Sequence, residues 1–265
     1  MFTRTYIETV PGSDRVDRRG AFARTWRWLR SLALPPVRES FLRQVYFTAM
    51  QGSIGILFRG AVVGTVIIAY MIRVLNADVA VTNKILLIFV FREVGPLFAA
   101  VLVIFRSGSA VTSEIALMGL SGELRTLRRL GIRVSEYLIL PRIVGIPFAT
   151  VALTFYFQCV TLFGGFVLAP LVIETTFAQL VNEFFATVSL WDVGYSVVKS
   201  LVFGVIIALT SCWYGLRLSS MDITAIPKAV TRAITLSVAY VMIFNALFAY
   251  FVFGVLLFGL IRAEI

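Results

Sequence analysis

Histidine is absent from all 265 residues of this chain. Without an imidazole, the sequence cannot carry a serine–histidine or cysteine–histidine nucleophile pair, a histidine zinc site or an H-E-x-x-H motif. A Walker A sequence is also absent, so we expect no ATP-hydrolysing site in the chain itself. The missing residue types therefore argue against an enzyme, and we expect neither a metal nor another cofactor here.

Charge and cysteine are scarce as well. Only 14% of the residues are charged and 59% are hydrophobic, with a mean hydropathy of +0.92. A soluble domain of this size needs more polar surface to cover its core. The apolar runs are continuous and long enough to cross a bilayer, unlike the short alternating segments of a β-barrel. We therefore predict an all-α integral membrane protein. Cys159 and Cys212 lie within apolar runs and are expected to be buried small hydrophobes without a disulfide.

The charge that is present is mostly basic, with a formal net charge of +10. Lysine and arginine concentrate in the N-terminal region and in residues 121–133 and 217–232. Basic segments favour the cytoplasmic side of membrane spans, which explains the charge better than a nucleic-acid partner does. We predict a multi-pass protein with a cytoplasmic N-terminus and no nucleic-acid binding. The polar, arginine-rich first forty residues are not expected to be a signal peptide.

The distribution of apolar runs divides the chain into three parts. Residues 1–20 are predicted to be disordered and residues 21–50 to form an interfacial amphipathic helix, although a cytoplasmic helix packed on the protein is an alternative. The transmembrane region covers 51–265. It is expected to hold five spans, at about 54–74, 84–120, 135–169, 193–216 and 233–261.

Two of these spans and one connection have distinctive sequences. Gly95-Pro96 and the RSGS of residues 106–109 predict a kinked or broken second span. Residues 170–192 are expected to form a short external helix. Its three acidic residues are expected to have no role beyond a solvated face: Glu174, Glu183 and Asp192.

Glu114 is an acid in the middle of an apolar stretch. An ionised group inside hydrocarbon costs roughly 2.5–3.5 kcal/mol on insertion scales, so such acids usually face a cavity or a partner. Glu114 is therefore a candidate for the polar tip of a substrate cavity. A structural ion pair or hydrogen bond with Arg106, Ser109 or Ser113 is a second possibility, and solvation at the cytoplasmic end is a third.

Arg92 and Glu93 form an adjacent charged pair just before Gly95-Pro96. One hypothesis makes this pair a gate or a seat for an external partner. The alternative, which we favour, is a pair near the membrane surface that is solvated or locally paired.

Residues 120–130, LSGELRTLRRL, follow directly after the second predicted span. Leucines recur at helical spacing and basic side chains occupy other positions, so this segment predicts a short amphipathic helix with Ser121 as its N-cap. A membrane-surface helix and a coupling helix that docks on a separate ATPase both fit this pattern. The candidate coupling residues are Glu123, Leu124, Arg125, Leu127, Arg128 and Arg129.

The run REVGPLFAAVLVIFRSGSAVTSEIALM, the short helix and LRRLGIRVSEYLILPRIVGIP together resemble the MlaE/YrbE permease family, the membrane subunits of ABC transporters that move phospholipids between bacterial membranes. The resemblance covers roughly residues 45–255, including CWYGLRLSS and IPKAVTRAIT near its end. The matching steps fall on Glu93, Gly95, Pro96, Arg106, Gly108, Ser109, Ala110, Glu114, Leu130, Gly131, Pro141 and Arg142.

The resemblance implies a permease of the bacterial inner membrane that works as a dimer, with itself or with a paralogue. It implies a cytoplasmic ATPase partner that binds ATP and magnesium, and an MCE-domain ring protein on the outer side. A phospholipid would lie at the dimer interface, with Glu114 and Arg106 near its headgroup. The first predicted span would supply apolar walls, with candidates Val62, Val66, Ile67, Tyr70 and Met71. A membrane-embedded lipid-modifying enzyme and a passive scaffold remain alternatives.

The short helix departs from the family pattern. Where the family has Glu-Gln-x-Asp, this chain has Gly122-Glu123-Leu124-Arg125, and where the family has aspartate before proline it has Arg133-Val134. Since acidic positions have become arginine, an ATPase that docks here is expected to offer a correspondingly acidic surface.

Overall fold

The computed structural model describes residues 62, 66, 92–168, 176–217 and 223–263. Its elements are helical, with no strand in these ranges, so the all-α class is confirmed. The described helices are α1 (Gly95–Val103), α2 (Ser109–Leu120), α3 (Glu123–Arg129), α4 (Leu140–Leu168), α5 (Phe177–Thr187), α6 (Leu190–Leu216) and α7 (Ala225–Ala263). The predicted N-terminal segments at 1–20 and 21–50 lie outside these ranges.

Four helical segments in the described part of the chain are long and apolar enough to cross a membrane: Arg92–Leu120, Ser135–Gly164, Leu190–Leu216 and Ala225–Phe251. The first predicted span, 54–74, lies outside the described residues except for Val62 and Val66, which are both helical. The last helix begins at Ala225, eight residues before the predicted start of its span. Pro227 lies in its first turn, where proline is tolerated because the missing N–H has no partner there.

The helix is continuous from Arg92 to Leu120 within the second predicted span, but its middle contains a π-helical turn, which is wider than a turn of α-helix. Ile104–Gly108 forms a π-helical turn between α1 and α2, at the position where the RSGS sequence begins. Pro96 lies in the first turn of α1, directly after a π-helical turn at residues 92–94. Such π-turns are one of the recognised causes of a kink in a helix, and the kink itself stays a prediction.

Helix α6 lies at the centre of the bundle and packs on α1, α2, α4 and α7. The core is built from small, aliphatic and phenylalanine side chains, with Phe98 stacked on Phe157 at 4.8 Å and Phe203 edge-on to Phe244 at 5.9 Å between ring centroids. This arrangement brings the C-terminal ends of α2 and α6 to the end that also holds α3. We call it the α3 end, and the other the far end.

Glycines allow α6 to approach its neighbours at backbone distance. A Cβ on Gly204 would lie 2.4 Å from Cα of Pro147 in α4, and a Cβ on Gly215 would lie 2.8 Å from Cβ of Ile115 in α2. Real side chains do not tolerate such distances, so both positions need glycine. Close packing through small residues is a general means of holding membrane helices together.

Two sequence predictions about single residues are wrong. Cys212 is buried, but Cys159 is exposed, because α4 turns that face away from the bundle. Ser121 is not the N-cap of α3: its hydroxyl donates to the carbonyl of Met118, and Gly122 takes the cap position at φ 80°. The chain reverses sharply between α2 and α3, and a left-handed residue at that turn favours glycine.

Candidate functional site

Helix α3 projects from the α3 end as a separate short element. Leu124 and Leu127 are half-buried, whereas Glu123, Arg125, Arg128 and Arg129 are exposed. The segment is therefore amphipathic, with its leucines toward the bundle and its basic side chains in solvent. Arg125, Arg128 and Arg129 have no ion-pair partner among the described residues, which leaves this charge available to another molecule.

The end of α3 is fixed by a backbone motif. Gly131 has φ 75°, the amide of Ile132 donates to the carbonyl of Leu127, and the amide of Gly131 donates to the carbonyl of Arg128. These two bonds are those of a Schellman motif, which stops a helix and redirects the chain. The Leu-Gly step of the sequence therefore sets the direction in which the chain leaves α3 and enters α4.

Glu114 on α2 forms an ion pair with Arg142 on α4, with Oε1 and Nη2 2.8 Å apart. The pair is unequal: the Arg142 side chain is 7% exposed and that of Glu114 is 59% exposed. Glu114 lies six residues before the end of α2, which corresponds to about 9 Å along the helix axis. The pair therefore presents a carboxylate on the surface of the bundle, held from behind by a buried guanidinium.

The partner of Glu114 is not one of the three that the sequence suggested. Ser109 donates to the carbonyl oxygens of Phe105 and Arg106, and Ser113 donates to that of Ala110, so both serines bond to their own helix. Arg106 lies in the π-helical turn and is half-buried.

The candidate wall residues are only partly described. Val62 is 45% exposed and Val66 is 60% exposed, so both present apolar surface outward. Ile67, Tyr70 and Met71 lie outside the described residues. The proposed role of all five as walls of a lipid cavity stays a prediction.

A second polar cluster lies at the far end of the bundle, and the sequence pattern did not reveal it. Lys199 on α6 is 0% exposed; its Nζ donates to Oε2 of Glu93 at 2.8 Å and to the carbonyl of Arg92 at 2.9 Å. Nearby, Gln158 donates to the hydroxyl of Ser196, also in a buried position. These contacts hold α6 against residues 92–93, which directly precede α1, and against α4.

Arg92 completes this cluster. Its Nη2 lies 2.7 Å from Oδ1 of Asp192, and its guanidinium lies 5.8 Å from the ring centre of Tyr195. Asp192 is 5% exposed, so its predicted place on a solvated outer face is wrong. The cause is that α6 begins at Leu190 and turns Asp192 inward, where its other oxygen also accepts from the amide of Ser189. Glu174 lies outside the described residues, as does the Glu183 side chain.

One sequence signal could have found this cluster. Asp192 and Lys199 are seven residues apart and therefore lie on the same face of a helix, as do Asp192 and Ser196. Charges on one face of a membrane helix usually meet opposite charges on a neighbouring helix. The favoured alternative has Arg92 and Glu93 solvated or locally paired, but both pair with α6: Arg92 with Asp192, 100 residues away in sequence, and Glu93 with Lys199, 106 residues away.

Comparison with known proteins identifies the family to which this helical bundle belongs. The profile of the family described as Permease MlaE matches residues 41–251, which is most of the chain. The chain belongs to the MlaE permease family. The resemblance found in the sequence is thereby confirmed, and with it a multi-pass membrane protein.

Curated proteins with related sequences have names of the same kind. A probable ABC transporter permease of Synechocystis is 32% identical over 61% of this chain and 61% of its own length. The chloroplastic protein TRIGALACTOSYLDIACYLGLYCEROL 1 of Arabidopsis thaliana is 28% identical over 61% of this chain and 46% of its own. A probable ABC transporter permease of Rickettsia typhi is 27% identical over 62% and 63%. The chain spans less than two thirds of the length of these relatives.

Three of the charged positions that match the MlaE pattern lie in the two polar regions. Glu93 belongs to the cluster at the far end, whereas Glu114 and Arg142 form the ion pair nearer the α3 end. Gly131 ends α3, and Gly108 packs against Ser211 of α6, whose hydroxyl would lie 3.1 Å from an added Cβ. The family pattern therefore coincides with the charged contacts and close approaches between helices in this MlaE-type chain.

Proposed function

We propose that the chain is the permease subunit of an ABC transporter that moves phospholipid or a related lipid between the inner membrane and an MCE-domain protein. The observation that carries the proposal is helix α3, a short amphipathic helix at the end of a spanning helix in a member of the MlaE permease family. Its arginines are exposed and make no ion pair within the part of the chain that the structure describes. Related proteins named as probable ABC transporter permeases support an ATPase partner.

Helix α3 is built to pass motion into the membrane. The amides of Arg125 and Thr126 donate to the carbonyl of Gly122, and the amide of Ser121 donates to that of Leu117, so α2 and α3 are joined by a short hydrogen-bonded turn. A force on α3 therefore acts on α2, which carries Glu114. The candidate coupling residues Glu123, Leu124, Arg125, Leu127, Arg128 and Arg129 would dock on the ATPase, which binds ATP and magnesium itself.

The lipid is proposed to lie against the face that holds Glu114, at an interface with a second permease copy. An exposed carboxylate within a spanning helix is expensive in hydrocarbon, so a polar headgroup is a fitting neighbour for it. Arg106, Val62 and Val66 would line the same cavity. The name of the Arabidopsis relative includes the name of a glycerolipid, which supports a lipid substrate for this chain.

The first experiment is a gentle detergent purification of the tagged chain with protein and lipid mass spectrometry. We expect an ATPase, an MCE-domain protein and bound phospholipid, and less phospholipid on Glu114→Ala. The matched control is Ser113→Ala, which changes the residue next to Glu114; the Ser113 hydroxyl donates to the carbonyl of Ala110 in its own helix. Recovery of the bare chain would contradict the proposal and favour a scaffold. Equal lipid loss in both variants would remove Glu114 from the site.

A further inference from the structure

A cavity of about 410 Å³ opens at the α3 end, where the chain passes from α3 into the helical segment that begins at Ser135. Its lining comes from the last turn of α3, from the loop that follows it and from the ends of two spanning helices. The lining residues are Arg128, Gly131, Ile132, Arg133, Val134, Ser135, Ile139 and Leu216.

The cavity has a strong positive charge and few groups to balance it. Arg128 has no ion-pair partner among the described residues. Arg133 pairs with Glu136 at 2.9 Å, but its side chain is 65% exposed, and such a pair is weak in water. None of the described residues that line the cavity is acidic. The chemistry therefore favours an anion held between two guanidinium groups, for which arginine is well suited.

The position of the cavity narrows the choice of anion. Leu216 is the last residue of α6, and Ile139 lies one turn into the spanning segment Ser135–Gly164, so both residues are at the edge of the membrane-crossing part. The arginines lie just beyond that edge. A basic pocket between spanning helices at this depth lies at the level of the lipid headgroups. The basic segments 121–133 and 217–232 place this end on the cytoplasmic side in the proposed orientation.

We propose that this cavity binds one anionic phospholipid of the cytoplasmic leaflet as a resident lipid, distinct from the transported one. Its phosphate lies between Arg128 and Arg133, and its glycerol and upper acyl carbons lie against Ile132, Ile139 and Leu216. The volume holds a headgroup region and leaves the tails in the membrane. This lipid would join α3 to α4 and α6, so its presence would stiffen the link through which α3 moves.

An acidic side chain from a partner protein is the other anion to consider. The apolar lining favours the lipid, because half of it belongs to spanning helices that a water-soluble partner does not reach. The inference needs only the membrane insertion of the bundle and its orientation. It therefore stands or fails independently of the lipid that the permease transports.

The test is native mass spectrometry of the purified full-length protein, titrated with phosphatidylglycerol and, in parallel, with phosphatidylcholine. We expect one phosphatidylglycerol retained per chain in preference to phosphatidylcholine. In the double variant Arg128→Gln/Arg133→Gln the apparent affinity should fall about 25-fold, since each arginine near a lipid surface contributes about fivefold. The matched control is Arg125→Gln/Arg129→Gln, which removes the same charge from α3 outside the cavity and should lower the affinity by less than about fivefold.

A second variant tests the cavity without changing its charge. Ile132→Trp fills the space beneath the arginines, and Ile132 is 38% exposed, so the larger ring has room to be accommodated. It should also weaken phosphatidylglycerol binding. Equal losses in the cavity variant and the control would overturn the proposal in favour of general surface attraction. Unchanged lipid binding with loss of a co-purified protein would overturn it in favour of an acidic protein partner.

Discussion

At the far end of the bundle, Lys199 and Asp192 are buried, and each pairs with an opposite charge just before α1, at residues 92–93. At the α3 end, Glu114 is more than half exposed, and the arginines of α3 have no ion-pair partner among the described residues. The same chain thus encloses its charges in one place and presents them in the other. Enclosed pairs fix the relative position of helices, whereas exposed charges are available to lipid, substrate or partner.

The same kind of substitution should therefore have different effects at the two ends of the bundle. Removing one member of an enclosed pair leaves the other buried without compensation, which costs far more than the pair itself contributes. Removing one of the exposed α3 arginines leaves nothing buried, whereas removing Glu114 leaves the buried Arg142 without its anion. We therefore expect far-end variants to change stability, α3 variants to change function and Glu114 variants to change both.

The largest expected effect is at Lys199. Lys199→Met leaves Glu93 without its cation inside the bundle and should lower the free energy of unfolding by about 3–5 kcal/mol. The measurement is thermal unfolding in detergent, followed by tryptophan fluorescence. Lys228→Met, at an exposed position near the start of α7, is the control and should change little. Similar stability of the two variants would show that the far-end cluster does not hold the helices together.

The second effect is steric and lies between the two ends. Gly204→Ala places a Cβ 2.4 Å from Cα of Pro147 and should destabilise the bundle by about 1–3 kcal/mol, the usual range for overpacking. Gly194→Ala, in the same helix with open space around it, should be neutral or slightly stabilising. If both variants unfold at the same temperature, α4 and α6 are not in backbone contact.

Glu114 should affect both transport and stability. Glu114→Gln should lower the free energy of unfolding by about 1–3 kcal/mol, because the amide removes the anion that pairs with the buried Arg142. Loss of a charge-assisted contact with the headgroup is about 1.5–3 kcal/mol, or roughly ten- to hundredfold in lipid affinity or transport rate. The assay is ATP-driven lipid movement in proteoliposomes with the partner ATPase. Normal transport in a folded Glu114→Gln protein would make the pair with Arg142 structural only.

The smallest effect on stability is expected on α3. Arg125→Gln/Arg129→Gln changes exposed side chains and should alter the free energy of unfolding by less than about 0.5 kcal/mol. Recovery of the ATPase with the purified chain should nevertheless fall, and fall further at higher salt, because exposed charges steer association. Lys228→Gln, an exposed cation outside α3, serves as the control. Undiminished ATPase recovery would locate the coupling surface elsewhere.

What the sequence determined by itself is local. Continuous apolar runs specify spanning helices. Leucines at helical spacing, with Gly131 after them, specify α3 and its end. The RSGS sequence marks the π-helical turn between α1 and α2. Each of these features depends on a few consecutive residues. Even so, local propensity misplaced the start of α7 and chose Ser121 over Gly122 as the cap of α3, because the tight turn after α2 required a left-handed residue.

The tertiary structure alone decided which charges meet. Lys199 and Glu93 are 106 residues apart, and Glu114 finds Arg142 rather than a neighbour on its own helix. Pairing of this kind depends on how each helix is rotated about its axis and how closely two axes approach. Those quantities follow from the fit of side chains across the whole interface, such as Gly204 against Pro147, and not from any one segment.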